Sequence, residues 1–352
     1  NRRWLGHLSG VLFIRFPGMD PEPLLKRLYP IVRPFMGMAG LVMAVVLLVV
    51  AGFTIVANAD RFASEFPAMR QWVQWRAVFI LAAVIGVTKV FHELGHAIAC
   101  KHFGGECHQI GPMLLVFTPA LYCDTSDSWT LPNRFARATV GMAGILTEVI
   151  LAAIATLIWA ATGPTLVHYI AMNVMLVSSV STLLFNANPL LRYDGYYVLS
   201  DLCDVPNLAQ KSRDQLSRWG CRVVFGVTMD ESEPIGRREK FWLILYASAA
   251  FVYRWSLTLL ILWFILLMLR PYRLESVGTV LCGFAIAGLV GTSLRNPVSF
   301  LRHPGKRRLI QMKNVLKSAA VAILLLAVLC WPLPSGESAP GRLMHRMEVP
   351  IY

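Results

Sequence analysis

Seven mostly apolar runs dominate this 352-residue chain. They are Phe35–Asn58, Ala77–Cys100, Phe135–Ala161, Leu166–Leu191, Phe241–Leu269, Ser276–Leu294 and the shorter Ser318–Pro332. Crossing a bilayer takes roughly 20 such residues as helix, because hydrocarbon offers no partner to a backbone N–H or C=O. The expected fold class is therefore all-α and polytopic, with about seven transmembrane helices. Composition agrees: 56% of residues are hydrophobic and only 15% are charged, against about 25% charged in soluble domains. The net charge of +13 does not indicate nucleic acid, since no basic stripe is interleaved with aromatics. The excess gathers beside apolar runs, as expected of orientation signals and of contact with an anionic lipid bilayer.

Those basic residues orient the chain. Arg2, Arg3, Arg15, Lys26, Arg27 and Arg33 precede the first run, and Arg295, Arg302, Lys306, Arg307, Arg308, Lys313 and Lys317 separate the last two. With the N-terminus cytoplasmic, both clusters fall inside, and the C-terminal tail falls outside. The expected location is the inner (cytoplasmic) membrane of a cell. The organisation expected is a cytoplasmic segment 1–34, a first helix with an interfacial stretch 35–76, a core 77–205, a cytoplasmic loop 206–240, three further spans 241–332, and an extracytoplasmic tail 333–352. Trp72 and Trp75 serve as interfacial belt residues, and a short helix is expected around Asn207–Trp219. Ile110–Tyr122, too short to span and broken by Pro112 and Pro119, suits a re-entrant or hairpin element buried against protein. The seven cysteines form no CxxC pair, so neither a disulfide framework nor a cysteine zinc site is expected. Beginning at Asn1, the chain is expected to be a piece of a longer one.

The second run carries His92-Glu93-Leu94-Gly95-His96. A helix puts residues i and i+4 on one face, so both imidazoles can hold one Zn²⁺, with Glu93 beside the open position as general base for hydrolysis. Ala77–Val90, just before it, has a single charge, Lys89. A hydrolytic site at membrane depth implies a membrane segment as substrate. Catalytic zinc usually takes three protein ligands. The stretch Asn186-Ala187-Asn188-Pro189-Leu190-Leu191-Arg192-Tyr193-Asp194-Gly195 ends two crossings later on the same face, and Gly195 leaves room for the backbone to turn in. Asp194 can supply the third ligand there; Asp124, Asp201 and Asp204 lie on the same side.

Over roughly residues 77–205 the chain resembles the site-2 protease family of intramembrane zinc metalloproteases. The resemblance rests on the HExxH helix and, two spans later, an N-x2-P-x4-D-G motif matched by Asn186, Pro189, Asp194 and Gly195. It implies a three-helix core, zinc held by His92, His96 and Asp194, catalysis by Glu93, and a substrate contact from Asn186. The stretch Met113–Trp129 and the run NPLLRYDGYYVLSDL further resemble a bacterial branch of peptide zinc metalloproteases. Members of that branch often continue into an export-type adaptor region. Many relatives carry Gly-xxx-Asn on the middle core span; the comparable stretch here is Gly144-Ile145-Leu146-Thr147-Glu148.

Ionisable residues inside spans are costly and read as functional by default. Glu148 is expected to line a polar route or to be a packed, hydrogen-bonded residue; Arg254 is one conceivable partner for it. His102, His108 and Asp124 read as loop residues, and His168 as interfacial. The expected function is peptide-bond hydrolysis of membrane-anchored or exported substrates. The competing reading is a membrane scaffold, or a component of a peptide export system, with a structural or inactive metal site.

Overall fold

The computed structural model describes residues 13–65, 75–115, 118–227, 236–302 and 310–329. It divides into a larger unit, residues 1–213 and 238–280, and a smaller one, residues 214–237 and 281–352. Among the described residues, six helices are long and apolar enough to cross a membrane, with bounds Met38–Ala57, Val78–His102, Arg134–Ala161, Leu166–Asn186, Arg237–Leu269 and Glu275–Ser293. Met38, Phe53 and Val56 on the first are each about three-quarters exposed, a surface suited to lipid rather than water. The chain is thus a helical protein built for membrane association. The seventh expected span falls on a helix Met312–Leu329 that begins with Lys313 and Lys317; residues 330–332 lie outside the described ones.

In chain order, α1 is Glu22–Val32, α2 Met38–Ala57, α3 Ala59–Glu65, α4 Trp75–His102 and α5 Arg134–Ala161. Next come α6 Leu166–Ser181, α7 Asp194–Leu202, α8 Leu208–Phe225 and α9 Arg237–Leu269. Helix α5 is the axis of the larger unit and packs against α2, α4, α6 and α7. Its buried positions are mostly small (Ala136, Ala138, Ala143, Gly144, Ala153, Ala155), and small side chains let neighbouring helix backbones close in. The Asn133 side chain caps its start, accepting from Phe135 N at 2.9 Å. A short Thr162–Thr165 turn then sends the chain back as α6, capped by Thr165.

Far from the motif, the buried Trp159 donates through Nε1 to Glu65 Oε2 (2.7 Å), while His168 Nε2 lies 3.1 Å from the same oxygen and Arg61 ion-pairs with Glu65. Burial alone would raise the Glu65 carboxyl's pKa, but the hydrogen bonds from Trp159, Arg61 and His168 hold it below its ordinary value. This cluster seats α3 on the α5–α6 corner. His168, expected at an interface, is therefore buried. Residues 66–74, including Trp72, lie outside the described ones.

The hairpin expected beside the helices is present and extends into a small sheet. Ile110–Leu115 (β2) and Thr118–Cys123 (β3) form the expected hairpin, but Phe13–Arg15 (β1) adds a third antiparallel strand, in the order β1-β2-β3. The register pairs Arg15 with Met113 and Met113 with Ala120. A lone hairpin leaves one side of β2 without backbone partners, and β1 supplies them. At the hairpin base, Cys107 and Cys123 are free thiols with sulfurs 3.1 Å apart.

The fourth span also ends earlier than its hydropathy suggests. After Ser181 the helix widens into a π turn over Thr182–Asn186, closed by Ala187 N donating to Thr182 O at 2.8 Å. Pro189, lacking an N–H, prevents the helix from resuming. The chain re-enters helical geometry as α7, starting at Asp194. The loop helix expected at Asn207–Trp219 is α8. In the smaller unit, Cys221 and Val227 pack with Phe225 and Ile310, and Gln311 N donates to Phe225 O at 2.9 Å.

Candidate metal centre

One turn apart on α4, His92 and His96 face α5 across Gly144. A methyl group at Gly144 would strike the His96 ring and come within 2.8 Å of His92 Nε2, so the absence of a side chain there is what lets both imidazoles lie against α5. His96 Nδ1 is 2.8 Å from the Val140 carbonyl, which accepts its proton and leaves Nε2 with a free lone pair. His92 Nδ1 is 3.2 Å from Glu148 Oε1, out of line for a good hydrogen bond. The two Nε2 atoms are 3.2 Å apart.

Asp194 arrives at the same point from the first turn of α7. Its Oδ2 is 2.9 Å from His92 Nε2 and 3.3 Å from His96 Nε2. Gly195 permits this approach, since a Cβ there would meet the Ala187 carbonyl at 2.5 Å and that of Asn186 at 3.0 Å. The Asp194 Oδ2 atom is buried yet has no hydrogen-bond partner. The ligand atoms of His92, His96 and Asp194 all lie within 4.8 Å of one another. Three electron-pair donors this close repel unless a proton or a cation joins them. The edges of 2.9–3.3 Å approach the roughly 3.3 Å that a tetrahedral ion with bonds of about 2.0–2.1 Å requires. Two imidazoles and one carboxylate therefore fit a divalent metal of zinc's preferences.

Behind the cluster, Glu148 is 1% exposed. Its Oε1 accepts from Lys89 Nζ at 2.6 Å, and its Oε2 accepts from Thr182 Oγ1 at 2.5 Å and Asn186 Nδ2 at 2.8 Å. Lys89 also donates to Ser181 Oγ at 2.9 Å. The π turn is what presents both Thr182 and Asn186 to one carboxylate. A lone Lys or Glu at this depth would be costly; paired and hydrogen-bonded, each offsets the other's desolvation. The partner of Glu148 is thus Lys89, not Arg254. Glu148 is enclosed rather than lining an open route, and Asn186 turns its amide to Glu148 rather than into the cavity.

In front of the cluster opens a cavity of about 400 Å³, lined among others by Glu93, His96, Tyr122, Asp124, Asp194 and Tyr197. Among the described residues the Glu93 carboxylate has no hydrogen-bond partner. Arg137 braces one wall, donating to Asp201 and Asp204 at 3.1 Å each and to Leu131 O at 3.0 Å, which ties α7 to the start of α5. On the other side, Arg15 lies 5.1 Å above the Tyr122 ring. Asp124 accepts from the Ser126 hydroxyl and amide, which hold its carboxyl below the usual carboxylate range; it fixes its loop. His102 meets Tyr29, and His108 meets Glu106, both away from the cluster. The sequence marked Lys89 only as the single charge before the motif and Gly144 only within the Gly144–Glu148 stretch, and it gave Thr182 and Arg137 no role. The one readable sign was the Gly144–Glu148 spacing, one helical turn, which places both against the motif helix.

Fold and site together define a helical membrane-type protein with a His-His-Asp centre fitted to a metal. The chain is 31% identical over 146 residues, 41% of its length, to a protein of Bacillus subtilis (strain 168) named "Putative peptide zinc metalloprotease protein YydH". It spans about half (53%) of that relative. No family model and no solved structure matches.

Proposed function

We propose that this chain is an intramembrane zinc endopeptidase of the site-2 protease kind, hydrolysing peptide bonds of membrane-embedded or exported substrates. The carrying observation is the convergence of His92, His96 and the orphaned Asp194 oxygen beside a cavity holding Glu93, all on elements joined to apolar helices. The name of the Bacillus subtilis relative supports the same reading. When bound, zinc would supply Lewis acidity, polarising a carbonyl and acidifying a water. His92, His96 and Asp194 would hold it. Glu93 takes the proton from the attacking water and returns it to the leaving amine.

A transmembrane helix hides its peptide bonds in internal hydrogen bonds, so a substrate must extend before it is cut. β3 is an edge strand whose Tyr122 and Cys123 line the cavity, and an extended segment could add to it by backbone pairing. Counted from Ala77 at about 1.5 Å per residue, His92 lies about 22 Å into a core of roughly 30 Å, near one face. We place that face at the cytoplasm of an inner membrane, with the N-terminus inside and the C-terminus outside.

The test is cleavage of membrane-anchored peptides by the full chain in vesicles, read by mass spectrometry. Chelation should abolish cleavage and added Zn²⁺ restore it. Cleavage indifferent to chelator would remove the metal from the reaction; no cleavage of any membrane peptide, with export still dependent on the chain, would favour the scaffold.

A related expectation concerns Glu148. Its carboxylate, held by Lys89, Thr182 and Asn186, puts a negative charge 3.2 Å from His92 Nδ1, behind the ring that would bind the metal. Glu148→Gln should weaken zinc affinity by about 10–100-fold, measured by competition with a chromogenic chelator, while helix content by circular dichroism stays unchanged.

A further inference from the structure

Three arginines meet at a second cavity of the larger unit, which shares no lining residue with the one in front of the metal centre. Arg192 follows the π turn, Arg213 is on α8 and Arg254 is on α9; together they line a space of about 170 Å³ that includes no acidic residue. Apart from Tyr246, its remaining walls are leucine and alanine, among them Leu190, Leu191 and Ala250. Two tyrosine hydroxyls pin α9 here: Tyr246 donates to Pro189 O at 2.8 Å and Tyr253 to Leu184 O at 2.9 Å. Arg254 sits two turns beyond Tyr246 on a helix apolar enough to span. Helical side chains lean toward the helix N-terminus, and Arg254 lines the same cavity as Tyr246 and Arg192. Arg213 is steadied by Ala209 O at 3.1 Å and Gln210 Oε1 at 2.9 Å. Among the described residues, neither Arg192 nor Arg254 has a carboxylate within ion-pair distance.

Arg192 and Arg254, beside an apolar helix with no carboxylate partner among the described residues, are costly to leave so, and guanidinium groups match phosphate oxygens better than any other side chain does. The lining joins that cationic end to leucine and alanine walls. Next to it on α9, Phe251 and Val252 are exposed, a surface suited to acyl chains. We propose that this cavity binds the phosphate of an anionic phospholipid, headgroup between Arg192 and Arg254 and chains along α9. The site is separate from the metal centre, and its test involves no cleavage.

The full chain in neutral-detergent micelles, titrated with phosphatidylglycerol and read by native mass spectrometry, tests it. Phosphatidylglycerol should bind well above phosphatidylcholine, whose choline cation the arginines repel. Arg192→Gln and Arg254→Gln should each weaken it by about fivefold and the pair by about 25-fold. Lys211→Gln, an exposed change on α8 outside the cavity, should leave it unaltered. Unchanged binding in the double variant, or an equal loss in Lys211→Gln, overturns the proposal. Displacement of the lipid by millimolar inorganic phosphate would assign the cavity to a soluble anion and overturn the lipid assignment. Should the double variant misfold, a photoactivatable phosphatidylglycerol on the unaltered chain decides: labelling around Leu190–Arg192 and Ala250 supports the site, and labelling only elsewhere refutes it.

Discussion

Glu93→Gln will lower cleavage of a membrane-embedded peptide by about 10²–10⁴-fold, the usual contribution of a positioned general base, without loss of bound zinc. Glutamine keeps the size and hydrogen-bonding capacity of glutamate but cannot take a proton. The two effects separate because Glu93 lines the cavity without belonging to the three-donor cluster. Cleavage rate and zinc content, measured on one preparation, check both halves. Equal cleavage by parent and variant would remove Glu93 from the reaction. Loss of zinc together with activity would make Glu93 part of the metal's support instead.

Asp194→Ala acts on the other half of the site. It removes one of three converging donors and should weaken zinc binding on the order of 10²–10³-fold, since an apparent energy of about 10–16 kcal/mol is shared among about four ligands in structural sites. The two imidazoles would stay in place, held against Gly144 and by the bond of His96 to Val140 O. Zinc competition with a chelator measures the loss, and an unchanged affinity would exclude Asp194 from the ligand set. Together the two variants separate chemistry from metal holding.

Much of this was legible from the chain alone. The i, i+4 spacing of His92 and His96 guarantees a shared helix face wherever that helix sits, and Pro189 followed by Asp194-Gly195 announces a break and a turn. Six of the apolar runs marked helices long enough to span a membrane, and the short Pro-broken segment marked the hairpin. What escaped was contact between distant positions. Lys89 chooses Glu148, 59 residues away, over any nearer carboxylate. Thr182 and Asn186 meet that same side chain only because the helix widens by one residue, which hydropathy cannot register. Nor did anything in Phe13–Arg15 announce a strand, because the need for it arises at β2.

The sequence by itself determined the local geometry: which residues share a helix face, where a helix must stop, and which segments water cannot solvate. These follow from backbone geometry and transfer energies, which each segment carries with it. Tertiary structure decided the pairing. Helix α5, stripped to small side chains along one face, lets α4 and α7 come close enough for three donors from two helices to share one point. It also left Glu148 to be neutralised by whatever cation stood across the gap. Such distances depend on how closely two helices can pack, a property of neither helix alone.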